Sequence, residues 1–138
     1  MDIKLCNDLT IEEFSTIRSS VGLSTLPAEQ IKRAISNSLY VVTARDNTGK
    51  AVAMGRLVGD GGYVYYLQNI NVMPKYQGMN IGTLIIDNIL DYIKKDKLPN
   101  TSVMVLLMSS KGAENFYKRF GFRSRPNDNE GPGMILNL

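Results

Sequence analysis

The sequence predicts an α/β fold, one mixed and mostly antiparallel sheet of about seven strands with four helices packed on it. Three observations carry this expectation. Runs rich in β-branched and aromatic residues at 39–44, 51–58 and 63–72 are separated by turn chemistry, Asp46-Asn47-Thr48-Gly49 and Gly59-Asp60-Gly61-Gly62. Ile81, Leu84, Ile85, Ile89 and Ile93 then fall at helical spacing. Val103 to Met108 is almost continuously apolar, the pattern of a strand covered on both faces.

Taken in order, Ile3 to Cys6 forms a short first strand. Thr10 to Ser20 is a helix, with Thr10 and Glu13 at capping-box spacing and Ile11, Phe14 and Ile17 on one side. A second helix starts near Pro27, a residue suited to the first helical position, and carries Ile31, Ala34 and Ile35. Leu39 to Ala44 and Ala51 to Val58 make a hairpin, and Tyr63 to Val72 a long strand, antiparallel throughout. Asp60 reads as turn chemistry, and Tyr63, Tyr65 and Tyr66 as sheet packing. Ile81 to Lys94 is the strongest helix. After the strand at 103–108, Lys111 to Phe120 is a helix closed by Gly121. Phe122 to Ser124 and Gly133 to Leu138 complete the sheet. The whole of 1–138 is expected to be one domain.

Composition narrows the chemistry. Histidine is absent, so imidazole acid–base catalysis and histidine metal ligands are excluded. One cysteine, Cys6, leaves no internal disulfide, is compatible with the cytoplasm, and reads as a small buried apolar residue. No apolar run reaches the roughly 18 to 20 residues that span a bilayer, so no membrane partner is expected. The 16 Lys and Arg against 13 Asp and Glu are spread along the chain. A nucleic-acid binder gathers such charge on one face, so no nucleic acid is expected either.

The segment Val72-Met73-Pro74-Lys75-Tyr76-Gln77-Gly78-Met79-Asn80-Ile81-Gly82-Thr83 joins the long strand to the strongest helix. A helix start leaves about four amide N–H groups without internal partners, with the positive end of the helix dipole behind them. Such a turn suits a phosphate. Neither the lysine of a nucleotide P-loop nor a Gly-x-Gly-x-x-Gly fingerprint is present. On spacing alone, Tyr117 lies on the stripe of Ala113, Phe116 and Phe120 and reads as a core tyrosine.

The run Val72-x-Pro74-x-x-Gln77-x-x-Asn80-x-Gly82 resembles motif A of the GCN5-related N-acetyltransferases, the GNAT family. Phe116-Tyr117-x-x-x-Gly121-Phe122 resembles that family's Phe-Tyr-x-x-x-Gly-Phe element. The order of elements agrees along essentially the whole chain. The resemblance implies a GNAT-like fold and acetyl transfer from acetyl-CoA to the primary amine of a small molecule, by direct attack in a ternary complex. It implies that backbone groups at Ile70 and Val72 bind the pantetheine and thioester carbonyl. It further implies that Gln77, Gly78, Met79, Asn80, Ile81, Gly82 and Thr83 hold the pyrophosphate. Tyr117 would be the general acid toward the departing sulfur.

The chain departs from the family pattern at three places. Asn80 stands where glycine is usual, a mild change because asparagine tolerates left-handed backbone and caps helices. Ser110 stands where many members have an asparagine at the pantetheine. Gln68, Asn69 and Asn71 are neutral where many members carry an acidic base on the long strand, so a water relay near Asn69 and Asn71 takes that place. The missing acid also motivates a second reading, a non-catalytic acyl-CoA-binding sensor or scaffold. The acceptor stays undetermined, and a homodimer is left open.

Overall fold

In a computed structural model, which describes residues 2–138, the elements run in the expected order. They are β1 (Lys4–Cys6), α1 (Ile11–Ser20), α2 (Ala28–Ser36), β2 (Tyr40–Arg45), β3 (Ala51–Gly59) and β4 (Val64–Val72). A 3-10 turn (Pro74–Tyr76), α3 (Ile81–Asp96), β5 (Met104–Leu106) and α4 (Glu114–Lys118) follow. The chain divides into two compact units, Met1–Val105 and Leu106–Leu138.

The first unit is built on the sheet, ordered β1-β2-β3-β4-β5, with each pairing from β1 to β4 antiparallel. Local chemistry sets its connections. The capping box at α1 forms in both directions, Thr10 N–H to Glu13 Oε1 at 3.0 Å and Glu13 N–H to Thr10 Oγ1 at 3.0 Å. The hairpin turn is closed by Asp46, whose Oδ1 accepts from the Thr48 hydroxyl at 2.6 Å and from the N–H groups of Thr48 and Lys50, which holds its carboxyl down at about 2. Asp60 does the same for the next turn, accepting from the N–H groups of Gly62, Tyr63 and Val64. Its carboxylate is turn chemistry, as expected.

Helix α3 packs on β2, β3 and β4, and α1 on β3 and β4. The α3 stripe Ile81, Ile85, Ile86, Ile89 and Ile93 is buried almost completely. It comes close to the strand at Gly55, where a Cβ would stand 2.6 Å from Ile85 Cγ2, 3.0 Å from Ile70 Cδ1 and 3.1 Å from Ile89 Cδ1. The β3–β4 ladder also slips by one residue there. Met54 opposes Asn71 and Arg56 opposes Gln68, so Gly55 alone faces both Asn69 and Ile70. That is a β-bulge, and Asn69 takes it up with left-handed backbone at φ 54°.

Tyr65 is fully buried and its hydroxyl donates to Asp96 Oδ2 at 2.7 Å, whereas Tyr63 is 57% exposed and packs little. Cys6 is only half-buried, a correction to the apolar reading. Its sulfur accepts from Arg45 Nε at 3.1 Å, because Arg45 is drawn in by Glu13 and Asp8.

The second unit departs from expectation most. Helix α4 covers only Glu114–Lys118, because Gly112 takes φ 94° and delays its start. Phe116 meets Tyr117 and Phe120 edge-on, with ring centroids 5.1 and 5.3 Å apart. Strands at 122–124 and 133–138 are not formed, so the sheet has five strands rather than about seven. The backbone after Phe122 is instead organised by a loop. Arg123 pairs with Glu130, and Asn127 N–H donates to the Glu130 carbonyl at 2.9 Å. Met134, Ile135 and Leu136 are 75–87% exposed, with no ladder on either side. Apolar, β-prone residues do not make a strand without a hydrogen-bonded neighbour. β5 is likewise shorter than 103–108 and is the sheet's last strand, with Met104 45% exposed rather than covered on both faces.

Gly55→Ala is expected to destabilise the protein by about 1–3 kcal/mol, because the new methyl must displace stiff, packed isoleucines. An unchanged urea midpoint would show that the contact relaxes freely. The Arg45 hydrogen bond holds Glu13 below its ordinary value of 4.5. The resulting stabilisation is complete above that value and is lost as the pH falls through the folded-state pKa. Melting temperatures of wild type and Arg45→Met should therefore differ more at pH 7 than at pH 3.

Candidate active site

The long strand ends where its backbone changes partners. Met73 N–H donates to the Val52 carbonyl at 2.9 Å. By antiparallel alternation, the N–H and C=O of Val72 therefore point away from β3. The Val72 carbonyl is taken by Gln77 Nε2 at 2.9 Å, and the Val72 N–H points to the same side, away from β3. Ile70 turns its side chain toward Gly55, on the α3 face.

The loop that follows is fixed from behind. Tyr76 is 8% exposed, and its hydroxyl donates to Asp46 Oδ2 at 3.0 Å, tying the loop to the hairpin turn. Two left-handed residues follow, Gly78 at φ 78° and Asn80 at φ 62°. Asn80 precedes α3 but its side chain makes no capping bond. A capping side chain needs extended backbone beneath it, and Asn80 has left-handed backbone instead. Its tolerance of that geometry is as expected, while its capping role is not formed. From Gly78 to Thr83, six consecutive backbone N–H groups have no acceptor among the described residues, and the first helical bond from this end is Leu84 N–H to the Asn80 carbonyl at 3.1 Å. Alternating left-handed turns ahead of a helix gather such donors into a concave nest that suits an oxyanion. The residues present thus fit a pyrophosphate.

Ser110 and Tyr117 lie together in the second unit. Ala113 N–H donates to the Ser110 carbonyl at 3.0 Å, and Tyr117 N–H to the Ala113 carbonyl at 3.4 Å, so Ser110 opens the turn that starts α4. The Tyr117 hydroxyl has no hydrogen-bond partner among the described residues. Burial pushes its phenol above the ordinary value of 10.

The face of the sheet turned away from α3 carries Met54, Arg56, Gln68, Asn69 and Asn71. Asn69 Oδ1 accepts from Arg56 Nε at 2.9 Å. Asn71 Oδ1 is buried and has no partner. Buried polar atoms are nearly always satisfied, so this oxygen is open to a water or a bound donor. Sequence reasoning missed Arg56 and the bulge beside it. The available signal was Gly55, a glycine in mid-strand.

Residues 7–135 match the family model described as an Acetyltransferase (GNAT) domain. The chain belongs to the GNAT acetyltransferases. It is an acyltransferase, and the sensor reading is not favoured. The acetyltransferase is similar in structure to a protein of unknown function from methicillin-resistant Staphylococcus aureus, a probable acetyltransferase. That likeness has TM-score 0.87 and 33% identity, and covers 99% of this chain and 100% of the other. A GNAT family acetyltransferase from Streptococcus pneumoniae follows at TM-score 0.80 and 27% identity, covering 99% and 97%. In sequence this chain is 22% identical over 127 residues to the uncharacterized N-acetyltransferase ycf52 of Pyropia yezoensis, covering 90% of this chain and 71% of that one.

The left-handed turn sets a stability test. Asn80→Gly should change stability by less than about 0.5 kcal/mol, whereas Asn80→Val should cost about 1–2 kcal/mol, since a β-branched residue resists this backbone. Equal melting curves for both variants would contradict the assignment.

Proposed function

We propose that this acetyltransferase moves an acetyl group from acetyl-CoA to the primary amine of a small molecule, by direct attack while both are bound. The row of six free amides from Gly78 to Thr83 is the observation that carries this reading. The reading treats 1–138 as one catalytic domain, because the family match crosses both compact units.

Gly78, Met79, Asn80, Ile81, Gly82 and Thr83 offer their N–H groups to the pyrophosphate, with the α3 dipole behind them. Gln77 holds the entry to this turn through the Val72 carbonyl. Backbone at Ile70 and Val72 binds the pantetheine arm, with Ser110 as a further contact. The Val72 N–H, turned away from β3, polarises the carbonyl as charge develops on its oxygen. Acetyl-CoA, when bound, supplies the acyl group as a thioester.

Tyr117 donates a hydrogen bond to the departing sulfur. A phenol above 10 and a thiol near 8.5 make complete proton transfer uphill by more than roughly 2 kcal/mol. The tyrosine therefore stabilises the thiolate by hydrogen bonding rather than by giving up its proton. An alkylamine near pKa 10.4 must also lose a proton, at roughly 4.6 kcal/mol at pH 7. With neutral residues on the β4 face, a water held by Asn71 Oδ1 relays that proton outward. Asn69 contributes less, because its oxygen is already used by Arg56.

Calorimetry with coenzyme A tests the reading directly, and an absence of heat would remove the site. Tyr117→Phe should lower kcat about 100-fold with little change in the KM for acetyl-CoA. Since burial raises the phenol's pKa, the wild-type alkaline limb should lie above pH 10. Undiminished turnover in the phenylalanine variant would end the assignment of Tyr117 to the departing sulfur.

A further inference from the structure

We infer that the amine acceptor carries an oxyanion, and that Arg56 is the side chain that binds it. This rests on the acetyl-transfer reading above and narrows its substrate class. Arg56 sits on β3 opposite Gln68, on the sheet face that also carries Asn69 and Asn71. The guanidinium is half-buried between that face and the end of α2. Nε donates to Asn69 Oδ1 at 2.9 Å, and Nη1 donates to the Ala34 carbonyl and to Ser38 Oγ, both at 3.2 Å. Nη2 has no acceptor among the described residues.

Each of these partners is neutral. The ion pairs among the described residues belong to Arg45 and Arg123, and none reaches Arg56. Arg45, whose side chain is 17% exposed, is matched by Glu13 and Asp8. A guanidinium stays charged at any working pH, and drawing one out of water without a counter-charge is costly. Burial accordingly lowers the pKa of Arg56.

The three contacts made by Nε and Nη1 account for a brace between the bulge and α2. They do not account for a full positive charge, nor for the free Nη2 amino group. Both are accounted for by a carboxylate or phosphate on the acceptor, which the fork of a guanidinium binds strongly. The opposite class, acceptors with a second cationic group, would be repelled here.

Matched primary amines test the inference. 3-Aminopropanol is compared with β-alanine and O-phosphoethanolamine, and 4-methylbenzylamine with 4-(aminomethyl)benzoate. Wild type should show kcat/KM at least about tenfold higher for the anionic members. The carboxylate and phosphate arms distinguish which oxyanion is preferred. In Arg56→Gln the anionic-to-neutral ratio should collapse toward one. Arg56→Lys should retain part of it, and Ser38→Ala, which removes one brace contact and keeps the charge, should retain it.

A wild-type ratio of one or below overturns the inference, as does an Arg56→Gln variant that slows both members of a pair alike. If no amine is turned over, calorimetry on the coenzyme A-loaded protein separates the two claims. Binding of the anionic amines that is lost in Arg56→Gln keeps the inference and removes the catalytic reading. An absence of any such binding overturns the inference.

Discussion

At Gly55 helix α3 presses directly on the sheet, and both the seating of that helix and the course of β4 depend on that contact. With no side chain in the way, Ile85 and Ile89 rest directly on the β3 backbone. The same glycine faces two residues of β4 rather than one, so the strand bulges at Asn69 and Ile70. One close approach therefore seats the helix whose N-terminus holds the free amides and bends the strand that leads into them. A larger residue at 55 would disturb both at once, because packed interiors transmit displacement rather than absorb it.

The chemistry that this scaffold supports is mostly backbone chemistry. The amides from Gly78 to Thr83 and the Val72 N–H are donors held by turn geometry, whatever side chains surround them. That suits a chain without histidine and with the neutral amides Gln68, Asn69 and Asn71 on β4. Preorganised backbone dipoles need little rearrangement when charge develops, and a site shielded from water strengthens them. Side chains then do what backbone cannot. Tyr117 offers an unpaired hydroxyl, Asn71 an open buried oxygen, and Arg56 an unmatched charge.

Much of the fold was legible because local chemistry and global structure agree. The Thr10 and Glu13 box, the Asp46 and Asp60 turns, and the isoleucine stripe of α3 each declare themselves within a few residues, and each forms. The nest was partly legible, since Gly78 and Asn80 are residue types that tolerate left-handed backbone. The two final strands misled for a physical reason. Phe122 to Ser124 and Gly133 to Leu138 carry apolar residues, but only Phe122 and Ile135 favour a strand, and a strand needs a hydrogen-bonded neighbour.

The sequence by itself determined the order of elements from β1 to α4, the phosphate-suited turn before α3 and the absence of imidazole chemistry, because these depend on residue type and short spacings. Only the tertiary structure decided the bulge opposite Gly55, the pairing of Gln77 with the Val72 carbonyl and the unmatched charge of Arg56. Each of these is a relation between residues brought together by packing, and no spacing along the chain encodes which polar groups will be left without partners once the strands and helices meet.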